Sequence, residues 1–140
     1  MRKFLYFRNV ADQDDDDSFG SNAADSLLIS SEKLIGFIPQ AHDTLRLLFE
    51  CVLSQFDHNG VILRDHVDIE ITRHRHKEVM EDIVNAINRS QNGIIIIADD
   101  VTTTYLTNPT GPADETVVAT YLGSNITGCS AISIADAAAA

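Results

Sequence analysis

At 140 residues, 44% of them apolar, the chain has the size of one globular domain and can bury roughly two-thirds of its unfolded surface. A net charge of −11, from 21 acidic against 10 basic side chains, opposes nucleic acid, whose affinity rests on neutralised phosphates, and opposes anionic membranes. No apolar run approaches a membrane span, and Met1 to Arg8 lack the apolar core and cleavage site of a secretory leader, so synthesis in a cytoplasm is expected.

Residues 1–8 (MRKFLYFR) are basic and aromatic, which suits a short strand. Such a strand either opens the domain's own sheet or acts as an arm that pairs with a neighbouring subunit by strand addition. Arg2, Lys3, Phe4, Tyr6, Phe7 and Arg8 are the candidate interaction residues of that arm. Residues 11–22 contain an aspartate run from Asp12 to Asp17, whose self-repulsion predicts a solvated loop. The oxygen spacing and turn glycine of a calcium-binding EF-hand are missing from it.

Ser26–Ile29 and Lys33–Ile38 read as a strand region closed by Pro39. In Thr44–Glu50, Leu45, Leu47 and Phe49 share one face while Arg46 and Glu50 take the other. Val67, Ile69 and Ile71 alternate with Asp68, Glu70 and Thr72, and Asn59-Gly60 lies between the two segments as a turn signal. Residues 44–72 are therefore expected to form a long antiparallel hairpin. Next, Val79, Met80, Ile83, Val84 and Ile87 recur at helical spacing and predict a helix over about residues 74–89. The run Ile94–Ile97 has no polar alternation, which predicts a central strand covered on both faces. Asp99-Asp100 reads as a turn, with Val101–Thr107 returning as a hairpin partner. A loop at Asn108–Asp114, a strand at Thr116–Leu122 and a final strand within Ile126–Ala135 follow, and residues 136–140 form a short tail. The sum is one α+β domain: a mainly antiparallel β-sheet or flattened barrel with one principal α-helix packed on it.

Chemistry is sparsely marked. Histidines 42, 58, 66, 74 and 76 fall close together, and histidine with carboxylate builds metal sites and acid–base pairs. His66 and Asp68 share a strand face, so a metal-dependent enzyme using His58, His66 and Asp68 is one alternative. His-Glu-x-x-His, Cys-x-x-Cys, a glycine-rich phosphate loop and a hydrolase elbow do not occur, so no metal, cofactor or catalytic residue is assigned. Cys51 and Cys129 read as small buried thiols, with a single bridge between them left open. An acidic module directed at a basic partner is a further alternative.

The segment Glu78-Val79-Met80-Glu81-Asp82-Ile83-Val84-Asn85-Ala86-Ile87-Asn88, the strand ending Ile97-Ala98-Asp99-Asp100-Val101-Thr102, and the close Ile126-Thr127 with Ala131-Ile132-Ser133-Ile134-Ala135 resemble small virion structural proteins of marine tailed phages, cyanophages among them. The resemblance implies a non-enzymatic decoration or cement role in a virion, with the major capsid protein and further copies of the chain as partners. It transfers no catalytic residue. On this reading, contacts run through residues 1–8 or through the last strand, where Ile132 and Ile134 are the candidates.

Overall fold

The computed structural model describes residues 3–9, 19–20, 23–50, 64–90, 93–106 and 115–134. Among them are ten strands and one α-helix: β1 (Lys3–Arg8), β2 (Phe19–Gly20), β3 (Ala23–Ala24), β4 (Ser26–Ser30), β5 (Leu34–Ala41), β6 (Thr44–Glu50), β7 (Arg64–Ile71), α1 (His76–Arg89), β8 (Gly93–Leu106), β9 (Glu115–Tyr121) and β10 (Ile126–Ser133). The α+β class, dominated by strands, is as expected. The strands divide between two sheets, however, one of four strands in the order β4-β1-β8-β9 and one of six in the order β2-β3-β10-β7-β6-β5. The division arises at the helix. After β7 the chain enters α1 and then β8, which pairs in parallel with β1 instead of returning beside β7.

Strict alternation builds the larger sheet. Leu45, Leu47 and Phe49 of β6 and Val67 and Ile69 of β7 are fully buried, and β6 pairs antiparallel with β7 from Thr44↔Glu70 to Glu50↔Arg64. The smaller sheet turns Leu5, Phe7, Ile29, Ile95 and Ile97 toward the same core. Phe7 and Phe49 meet edge to face across the two sheets, with ring centroids 6.0 Å apart, a favoured aromatic geometry. From α1, Val79 and Ile83 enter the core, and Met80, Ala86 and Ile87 pack at its margin. Val84, part of the same apolar stripe in sequence, stays 44% exposed.

Local chemistry explains where the elements depart from expectation. The helix starts at His76, after a turn in which Arg75 N donates to Thr72 O and His74 takes a positive φ of 67°. Pro39 does not end β5, which runs on to Ala41; it lies on the sheet's outermost strand, where the missing N–H breaks no ladder. Asp99-Asp100 does not reverse the chain. Asp99 Oδ1 accepts from Val101 N at 3.0 Å, and the pairing of β8 with β9 shifts register between Asp99 and Thr103. The result is one irregular strand of 14 residues. Phe19–Gly20 and Ala23–Ala24 pair as short strands at one edge, so strand pairing reaches into the region expected to be loop. The rest of the aspartate segment, Arg2, Cys51, His58 and the tail lie outside the described residues.

Candidate functional site

The interaction residues expected from the sequence are distributed through the interior and one outer face. β1 is not an arm. It is hydrogen-bonded to β4 on one side and β8 on the other, so it has no edge to offer a neighbour. Phe7 is fully buried, Lys3 Nζ donates to Ile87 O at the end of α1, and an Arg8 guanidinium nitrogen donates to Val101 O at 2.9 Å. β10 pairs with β7 along its length and meets β3 at Ser133↔Ala23, and its Ile132 and the adjoining Ile134 are buried, 2% and 5% exposed. These five residues therefore do not form a common surface, and the apolar run in β1 was a core strand for a simple reason: its neighbours on both sides are apolar.

Phe4 and Tyr6 are the exception. They alternate with buried Leu5 and Phe7 and so face outward. Register places Phe4 beside Ile94, and Tyr6 between Leu28 of β4 and Ile96 of β8. Leu28 is 49% exposed and Ile94 63%. The isoleucine run is thus unequally covered: Ile95 and Ile97 enter the core, while on the other face Ile94 is exposed and Ile96 is half-buried beside Phe4, Tyr6 and Leu28. This outer apolar face, exposed at Leu28 and Ile94 and half-buried between them, is the first candidate site, since apolar patches on a surface mark interaction sites.

A second site is polar. Where β7, β8, β9 and β10 converge, a cleft of about 450 Å³ is lined by Asn9, Glu70, Asp100, Tyr121, Thr127 and Cys129, with Gly128 and Ser130 completing the wall. Asp100 is 8% exposed, and its Oδ1 accepts from Tyr121 Oη at 2.8 Å and from Cys129 N at 3.0 Å, tying the two sheets together. Burial, then the Asp100 carboxylate, pushes the Tyr121 hydroxyl well above its ordinary range. Burial and then Asp100 and Glu70 do the same to the thiol of Cys129, which is a free cysteine. Both groups therefore stay protonated at neutral pH. The cleft was missed in the sequence because Asp100 read as one of two turn residues; a carboxylate directly after an unbroken buried strand was the available signal.

The histidines separate. Asp68 is engaged by Arg46 through a two-bond ion pair, at 2.8 and 3.0 Å, and this hydrogen bonding raises the Arg46 pKa. His66, next along the same face, is held below its ordinary pKa chiefly by burial and then by the Arg46 charge. His42 and His74 meet edge to face at 5.1 Å, and His76 Nε2 lies 2.7 Å from Ala41 O. Among the described residues no three His, Cys, Asp or Glu side chains are disposed to hold a metal ion, and no helix is long and apolar enough to cross a membrane.

Comparison with protein-family models, curated proteins and solved structures finds no match to the chain.

Proposed function

We propose that the chain is a non-enzymatic virion structural protein, of the decoration or cement kind, that associates with its own copies through the outer face of the β4-β1-β8-β9 sheet and is carried on a lattice of the major capsid protein. One observation supports the assembly half of this reading. Phe4, Tyr6, Leu28, Ile94 and Ile96 share one sheet face, on which Leu28 is 49% and Ile94 63% exposed and the other three are half-buried. None of the five carries a charge. Two copies of a chain with net charge −11 can therefore meet there without opposing like charges, while the rest of the surface discourages other contacts. A two-fold pairing of the face with itself is the simplest closed arrangement. The capsid half rests on the sequence resemblance.

Sedimentation velocity over a concentration series tests the association. The wild-type chain is expected to form a discrete oligomer, and Ile94→Glu to remain monomeric with an unchanged far-ultraviolet spectrum. A wild type that stays monomeric throughout, or an Ile94→Glu chain that associates equally, overturns it. Fractionation of particles from the source material tests the virion half: the chain should travel with intact shells, and its recovery only in particle-free fractions contradicts that half.

A further inference from the structure

We propose that the cleft between β7, β8, β9 and β10 binds an organic cation, an alkylammonium or guanidinium group, held between the carboxylates of Glu70 and Asp100. This site is separate from the apolar face and does not depend on it.

Three observations carry the assignment. First, Asp100 is 8% exposed, and both of its hydrogen bonds, from Tyr121 and Cys129, fall on Oδ1. No described donor reaches Oδ2, and that oxygen is not among the fully enclosed polar atoms lacking a partner, so it opens on the cleft. Second, the Glu70 carboxylate lies across the backbone of Gly128: a Cβ placed there would come within 2.7 Å of Glu70 Oε2. Glycine thus lets the second carboxylate lean over the wall of the cleft. Third, among the described residues neither Glu70 nor Asp100 belongs to an ion pair.

Asp100 is largely desolvated and held only by neutral donors, and the Glu70 carboxylate belongs to the same cleft. A cation entering between them supplies a donor to Asp100 Oδ2 and a counter-charge to both. Burial is the main cause of the raised pKa values of Tyr121 and Cys129, and the Asp100 and Glu70 charges add to it. A bare divalent ion fits poorly, because such ions ask for six or more converging oxygens and the described acidic, histidine and cysteine side chains do not converge in threes. The volume of about 450 Å³ suits an organic group instead. A guanidinium, with its flat fork of donors, matches two carboxylates better than a point charge does.

The test is a nuclear magnetic resonance titration of the full chain with methylguanidinium, with N-acetylarginine amide, and with urea as the uncharged isostere. Both cations should shift the backbone amides of Gly128 and Cys129 saturably, and urea should not. Glu70→Gln, at an exposed position, and Asp100→Asn, which keeps the shape of the group, should each weaken binding about tenfold. Tyr121→Phe leaves both carboxylates and should retain binding. Tighter binding of the arginine amide assigns the site to a basic side chain of a protein, and tighter binding of methylguanidinium assigns it to a free small cation. The inference fails if neither cation shifts those amides, if urea acts equally, if both carboxylate variants bind like wild type, or if calcium or magnesium competes fully at equal concentration.

Discussion

The outer faces of the two sheets differ in kind. On the larger sheet, His66, Asp68 and Glu70 of β7 point away from the core, and Arg46 of the neighbouring strand closes an ion pair with Asp68. On the smaller sheet, the corresponding outer positions hold Phe4, Tyr6, Leu28, Ile94 and Ile96. Both sheets share one core, so the inner faces alone do not account for the difference. A strand that alternates meets water on its polar side and needs nothing further. A strand that is apolar on both sides leaves one side for another molecule to cover.

The largest contrast lies within β1 itself. Phe7→Ala removes a fully buried ring in edge contact with Phe49 and should cost about 3–5 kcal/mol in urea unfolding. Phe4→Ala, three residues earlier on the outer face, should cost clearly less when measured at a concentration where the chain is monomeric. Equal losses would erase the distinction between the faces. Breaking the polar face should have an intermediate effect: Arg46→Ala leaves the half-sheltered Asp68 carboxylate unpaired and should cost about 1–2 kcal/mol, with the Arg46→Ala, Asp68→Ala cycle showing coupling. Ile94→Ser should change monomer stability by no more than about 0.5 kcal/mol, yet reduce association.

These contrasts also mark what the sequence carried. Leu45, Leu47 and Phe49 on one side of β6, the alternation of β7 and the stripe of α1 were all readable because each element obeys a single period. The partition into two sheets was not readable. It depends on β8 choosing β1 as a parallel partner, a pairing between residues about ninety positions apart that leaves no local mark. The same choice decides which side of Ile94–Ile97 is buried, so a run that looked doubly covered leaves Ile94 exposed and Ile96 half-buried. Asp99-Asp100 misled for a related reason: two aspartates favour a turn in isolation, but Tyr121 and the Cys129 amide, both distant in sequence, hold Asp100 inside.

The smallest expected effect is a pH dependence on the polar face. His66 has a folded pKa below its unfolded value of about 6.5, so above that pH both states are neutral and the residue contributes no slope. As pH falls below about 6.5 the unfolded chain takes the proton first, and stability declines until folded His66 titrates as well. A His66→Gln chain should lack this part of the decline, and the imidazole of the wild type should titrate below 6.5 by magnetic resonance. An imidazole midpoint above 6.5 would reverse the sign.

The most direct test of an apolar face kept for a second copy is an isotope-filtered magnetic resonance experiment on a mixture of labelled and unlabelled chains. Intermolecular contacts from the methyl groups of Ile94 and Ile96 to Leu28 or to the Phe4 ring are expected. Methyl groups that meet only water in a sample concentrated enough to assemble would contradict the account.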